Sequence, residues 1–287
     1  MSSENLSEEK SEEKPFLRVI VHSFFIIPFL IAVFCLLLFA GMHLLTQEKR
    51  TAYDYLEDIK TGGLTKRWQG AFELSKILGN PDILPADQQF SQELIKAFEQ
   101  AQHDDVRVRQ YLALAMGRTG REEFLEPLLK ALPNEKEENL ASVIYALGML
   151  KKEEATQSIL SYLTHSNPRV RSVTAVALGN IANPQSKVSL QKALNDSEPN
   201  VQWGAAISLA QMSDASGKEI ILKLLDRDYL LKFPEVDQYE QSQLMLSAIE
   251  AASFLNDGKL QNKIKELSQA DPNMKIRAAA LAELQKS

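Results

Sequence analysis

The sequence predicts an all-α protein: an α-solenoid of stacked helix pairs preceded by a single transmembrane helix. Three observations predict it. Val19–Gln47 form a run of 29 residues without a formal charge. The chain beyond it repeats itself every 31 residues. The composition (45% hydrophobic, 7% aromatic, 12 Gly, 11 Pro) excludes collagen-like and wholly disordered chains, and it has too few aromatic, β-branched and turn residues for a β-sandwich.

Residues 1–18 read as a disordered polar tail, in which five glutamates mix with Lys10, Lys14 and Arg18. Residues 19–47 read as the transmembrane helix. A span needs about 20 apolar residues, and Ser23–Leu45 supplies them. Pro28 lies near its start, where a proline costs a helix least. A cleavable signal peptide would have a shorter apolar core and small residues at its end. Here Leu44 and Leu45 continue the run past Ala40-Gly41. A lipoprotein signal would set a small residue before its cysteine, whereas Phe34 precedes Cys35 at mid-span. The expected location is therefore the cytoplasmic (inner) membrane, crossed once. Three cations precede the span and Lys49, Arg50, Lys60, Lys66 and Arg67 follow it, which favours a solenoid on the cytoplasmic side. An exported C-terminal domain is the alternative. Residues 48–63, with Gly62-Gly63, read as a linker.

Residues 64–287 read as the solenoid. Met116-Gly117, Leu147-Gly148, Leu178-Gly179 and Leu209-Ala210 recur at steps of 31. Ala113, Ile144, Ala175 and Ala206 keep the same step, as do Leu128, Ile159, Leu190 and Ile221, and Leu132, Leu163, Leu194 and Leu225. Each unit reads as two helices. The best-defined pair covers about Val170–Ile181 and Gln185–Leu194, separated by Asn183-Pro184. Neither helix buries its apolar stripe alone, but stacked pairs do. The glycines are read as points where neighbouring helices approach closely. Arg67-Trp68-Gln69-Gly70-Ala71 opens a degenerate first unit, residues 241–267 form a sixth, and a half-unit from Asp271-Pro272 ends the array.

Units that open on Pro-x-Val-Arg and close their first helix on Ala-Leu-Gly resemble HEAT repeats of the short, phycobilisome-lyase type. Pro168-Arg169-Val170-Arg171 with Ala177-Leu178-Gly179 carries the resemblance most fully, and Val108-Arg109 and Ile276-Arg277 carry parts of it. The resemblance covers residues 64–287. It implies a scaffold fold that binds proteins more than it performs chemistry. It also implies that Arg109, Arg171 and Arg277 bridge adjacent units, and that the second helices line the concave side used for binding. Bilin lyases within the family imply an alternative, an enzyme acting on a chromophore protein. A ligand-sensing regulatory subunit is a third reading.

The residues themselves offer little chemistry. His22, His43, His103 and His165 include no pair at i, i+4, so no metal site of the His-Glu-x-x-His kind is expected. A single cysteine excludes an intrachain disulfide and a cysteine-based zinc site. Thr61-Gly62-Gly63 is no phosphate loop, and no Gly-x-Ser-x-Gly elbow occurs. The net charge of −6 argues against nucleic acid. No catalytic residue and no cofactor are expected. The expected partner is another protein, itself membrane-associated.

Two candidate binding elements remain. Lys130, Lys192 and Lys223 share one column of the second helices, with Ser161 in the fourth place, and Lys187 and Lys218 share a neighbouring column. Such a stripe suits an acidic segment of a partner or anionic lipid headgroups. The 31-residue step breaks at residues 226–241, where Leu230, Leu231 and Phe233 stand among polar residues. That insertion either folds back on the solenoid or waits for a partner.

Overall fold

A computed structural model describes residues 22–46 and 50–286. The polar tail expected at 1–18 lies outside the described residues, as do residues 19–21 and 47 of the expected transmembrane helix and residues 48–49 of the expected linker. The chain divides into one unit ending at Arg50 and a second beginning at Thr51.

The first unit is helix α1, Ile27–Thr46, preceded by a π-helical turn His22–Ile26. Its apolar residues occupy every side, so no face is set aside for packing against a core. The 20-residue stretch Ser23–Met42 has a mean hydropathy of 2.8, and none of it is buried. At 1.5 Å per residue it is about 30 Å long, the thickness of a hydrocarbon layer. It is a helix long and apolar enough to cross a membrane.

The second unit opens with α2, Ala52–Thr61, where the sequence suggests a linker. The correction has a simple physical basis. Ala52, Leu56 and Ile59 recur at helical spacing and are buried. Thr51 and Asp54 close a capping box at the start. Gly70 lets the next helix come close, since a Cβ there would stand 3.1 Å from the Tyr55 carbonyl.

Helix pairs follow, with no strand among the described residues. They are α3 and α4 (Leu64–Ile77, Gln88–Gln100), α5 and α6 (Val106–Arg118, Leu125–Ala131), and α7 and α8 (Glu137–Leu150, Ala155–Leu160). Next come α9 and α10 (Pro168–Ile181, Lys187–Ala193), then α11 and α12 (Pro199–Gln211, Lys218–Leu224). A short α13 (Arg227–Leu230) precedes α14 and α15 (Gln238–Ser253, Gly258–Ala270), and α16 (Met274–Leu284) closes the array. This is the α-solenoid that the 31-residue period predicts.

Three columns of the period explain the stacking. The first is small. A Cβ on Gly117 would lie 2.7 Å from Ala146 Cα, and one on Gly148 would lie 2.6 Å from Ala177 Cα. One on Gly179 would run into the Ser208 side chain. Ala146, Ala177 and Ser208 are themselves 31 residues apart, so each first helix meets the next at the same point. The second column is charged. The Arg109 guanidinium donates to the Phe98 carbonyl in the preceding unit and to Glu135 in the following turn. Arg171 does the same toward His165 and Asp196. Arg277 donates to the Asp271 carbonyl. The bridging role that the resemblance implies for Arg109 and Arg171 is thus a ladder of ties between consecutive turns.

The third column is conformational. Gly120, Lys151, Ala182 and Ser213 follow one another at steps of 31, and all have φ between 54° and 66°. Each ends a first helix, where a left-handed residue turns the chain into the second helix. Only one of the four is the glycine that such a position favours. Asn183 and Asp214 then cap the short 3-10 turns that lead into α10 and α12, accepting from the backbone N–H of Gln185 and Ser216.

Helix α11 is buried on both sides. Val201, Ala205 and Leu209 join the core that runs back to Ala52, while Trp203, Ala206 and Ala210 join the core that runs forward to Ala280.

Three outcomes are expected in thermal or urea unfolding of the second unit. Gly148→Leu should lose about 1–3 kcal/mol or more through overpacking against Ala177, whereas exposed Lys192→Ala should change stability by less than about 0.5 kcal/mol. Equal losses would show that the helices are faced wrongly. Ala182→Gly should gain stability, up to about 1 kcal/mol, by relieving a left-handed alanine. A loss would mean that the unfolded-state entropy of glycine outweighs that relief. Residues 51–287 should melt above residues 64–287, because removing α2 uncovers Ala71 and Leu74. Coincident melting curves would return α2 to the status of a linker.

Candidate functional site

The lysine column divides in two. Lys130, Lys192 and Lys223 are exposed on α6, α10 and α12, and none forms a salt bridge among the described residues. Their helices are only 7 residues long and each buries a single face, through Leu128, Leu190 and Ile221. Lysines two positions further on are held out in water. The neighbouring column is committed elsewhere. Lys187 donates to the Met212 carbonyl at the end of α11. Lys218 pairs with Asp257 at 2.9 Å, and this hydrogen bond raises its pKa while lowering that of the aspartate. Lys187 and Lys218 therefore join units together rather than offering free charge.

The insertion at 226–241 folds back. Leu230 is fully buried, and Val236 is buried beside it. Phe233 packs edge-on against Trp203 at 4.9 Å and against Tyr229 at 5.2 Å. The Trp203 indole N–H donates to the Tyr229 hydroxyl at 3.1 Å. Arg227 ties the insertion to Asp271 across two hydrogen bonds. Leu230 is thus corrected from a candidate contact to a core residue, because the folded insertion buries it completely, while Phe233 is partly buried against Trp203. Leu231 alone of the three stays exposed, at 66%.

A further feature lies on the opposite helices, the first of each pair. An open groove of about 570 Å³ crosses α7, α9, α11 and α14. It continues into a hollow of about 430 Å³ at the start of α14, with Asn200, Leu244 and Ser247 lining both. Tyr145, Val176 and Ile207 form its apolar floor, one residue from each unit at the 31-residue step. Glu198, Glu235, Glu240 and Glu250 stand around it, and Arg169 is the one cation among the described lining residues.

The groove reaches the place where the period breaks. The glycine column ends at Gly179; its next member is Ala210, which carries the methyl that glycine omits. Helix α14 packs on α11 less closely than α11 packs on α9. The insertion packs on Trp203 through Phe233, and its Glu235, Val236 and Glu240 line the hollow beside that wider gap. Sequence reasoning missed this surface, although the column of Tyr145, Val176 and Ile207 was visible in the period. It reads as core until the backbone shows that this face of the first helices is uncovered.

No curated relative matches the sequence. Among solved structures, the complex of CpcE and CpcF of phycocyanin lyase from Nostoc sp. is similar at a TM-score of 0.57 and 17% identity, covering 84% of this chain and 96% of that one. At that identity the likeness shows the fold alone. An archaeal HEAT-like repeats protein from Thermococcus onnurineus (TM-score 0.42, 16% identity, 83% and 97% covered) and human deoxyhypusine hydroxylase (0.36, 15%, 82% and 85%) are more distant. The family model for HEAT repeats matches residues 91–175 and 156–232, the same helix pairs that the glycine column, the arginine ladder and the left-handed turns define. The chain is a HEAT-repeat protein.

Proposed function

We propose that this chain is a single-pass membrane protein of the cytoplasmic membrane whose solenoid serves as a protein-binding scaffold or adaptor for a membrane-associated assembly. The observation that supports it best is the pairing of a 20-residue apolar helix, none of it buried, with a separate repeat unit that exposes one lysine column on three of four second helices. A helix with no protein surface to bury it is stable in lipid. A solenoid held there works at a high local concentration of membrane partners, so weak and extended contacts suffice. Lys130, Lys192 and Lys223 are the free cations of that surface, and an acidic segment of the partner is the counterpart we assign to them. The cytoplasmic side is favoured by the cations that follow the span.

The test has two parts. Full-length protein should stay with membranes after an alkaline carbonate wash, and residues 51–287 should be released as a soluble monomer. A full-length chain that washes off would remove the anchor from the proposal. A tagged full-length protein in mild detergent should recover partner proteins from membranes. The Lys130→Glu, Lys192→Glu, Lys223→Glu triple variant should recover them poorly and with less dependence on salt, since screened charge contacts supply the attraction. Equal recovery by a folded triple variant would clear the lysine face of any role. Flotation of residues 51–287 with phosphatidylglycerol vesicles, but not with phosphatidylcholine vesicles, would assign the lysines to lipid headgroups instead.

A further inference from the structure

The groove on the first helices lies apart from the lysine column and has the opposite charge. Its floor is apolar and repeats with the fold. Val173 and Val176 on α9, Ile207 on α11 and Leu244 on α14 are all partly exposed in it. Tyr145, on α7, is 38% exposed. Hydrophobic side chains placed in register on consecutive helices make a continuous strip rather than scattered contacts, and a strip of this kind in an open groove marks an interaction site.

The charges give the partner's chemistry. Four carboxylates against one guanidinium leave the groove at a net charge of −3 (1 − 4). Glu198, Glu235, Glu240 and Glu250 form no salt bridge among the described residues, although fourteen such bridges occur elsewhere. Lysines and arginines near other carboxylates of this protein pair with them readily. Glu240 also accepts from the Asp237 backbone N–H in the cap of α14, but none of the four has a cation, and carboxylates around an apolar strip that are left without cations are complementary to a ligand that brings its own. The walls are firm. The aromatic cluster of Trp203, Tyr229 and Phe233 backs one end, and α9 and α11 are locked by Gly179 against Ser208. A ligand therefore meets a preformed surface and loses little affinity to ordering it.

We propose that this groove binds a basic, apolar segment of a partner protein: hydrophobic side chains on the strip from Tyr145 to Leu244, with lysines or arginines reaching Glu198, Glu235, Glu240 and Glu250. The acidic groove and the basic column then sort partners by charge, one face for each sign. This names the partner chemistry of a second surface, and it rests on the protein-binding reading only in taking the solenoid as a docking platform.

The single cysteine makes a direct test practical. Full-length protein carrying Cys35→Ser and Gln243→Cys is labelled with bimane at the groove rim and placed in phosphatidylcholine nanodiscs. A second preparation carries Cys35→Ser and Ser161→Cys, labelled on the second-helix face. The probes are three synthetic peptides of equal length ending in tryptophan, which quenches bimane on contact. One has leucines and lysines at helical spacing, one has glutamate for every lysine, and one has serine for every leucine. The Leu/Lys peptide should quench the label at position 243 and leave the label at 161 unaffected. The Leu/Glu and Ser/Lys peptides should bind at least about tenfold more weakly. Adding Glu198→Lys and Glu250→Lys should reverse the order of the Leu/Lys and Leu/Glu peptides. Equal quenching by all three peptides, equal quenching at both labels, or no quenching at position 243 would overturn the proposal. Partner recovery from membranes without quenching by any peptide would remove the groove and leave the scaffold reading intact. Quenching specific to the Leu/Lys peptide, with no partner recovered, would support the groove and count against the scaffold reading.

Discussion

The close approach of successive first helices at Gly117, Gly148 and Gly179 is the contact on which the rest of the solenoid depends. At these points the backbone of one helix lies where a side chain would otherwise sit, against Ala146, Ala177 and Ser208. Helices brought this near leave room for only small residues between them, which accounts for the buried alanines of α7, α9 and α11. Apolar bulk is pushed to the other side of each first helix, where Leu128, Ile159, Leu190 and Ile221 of the second helices meet it. The second helices can then be short, because they cover a stripe and need not stack as closely on one another.

Spacing of that kind must be held in register, and the polar columns do this. Arg109 and Arg171 each reach backward to a carbonyl and forward to a carboxylate, so a slip of one helix would break both ties. The Arg109–Glu135 pair is almost wholly buried and is also stacked on Phe98 at 4.0 Å. A buried pair contributes more to keeping one arrangement than to stability as such, because desolvation offsets much of its attraction. At the other end of each first helix, the left-handed residues fix the direction in which the chain leaves. Tight tertiary packing on both sides compensates for the strain at Lys151, Ala182 and Ser213.

Both interaction surfaces come from departures from this scheme. The lysine column is free where a second helix has an exposed face with no neighbouring carboxylate within bonding distance. Its companion column is consumed where the same side chain reaches the next unit. The groove runs along the uncovered face of α7, α9 and α11 and deepens where α14 packs less closely on α11 and the insertion adds Glu235, Val236 and Glu240 to its lining. The aromatic residues of the insertion do structural work on one side of Trp203 and leave the uncovered face of α11 and α14 on the other.

Much of this architecture was legible in the sequence, because a 31-residue period imposes the same contact on every unit. The glycine column, the helix pairs and the arginine column could be read directly, and so could an uncharged run long enough to cross a membrane. Other features depended on distance in space. Lys187 and Lys192 lie on one short helix and look alike in sequence, yet only the first comes within reach of a helix end in the next unit. Leu230 and Leu231 are adjacent, and only the way the insertion folds onto the second core decides which is buried. The left-handed column was hidden because three of its four members are lysine, alanine and serine, which carry no local sign of that conformation. The α2 helix was hidden by the glycines that follow it. The groove was beyond the reach of sequence for the same reason: an apolar column states that residues can be buried, and only the spacing of neighbouring helices determines whether anything in the chain covers them.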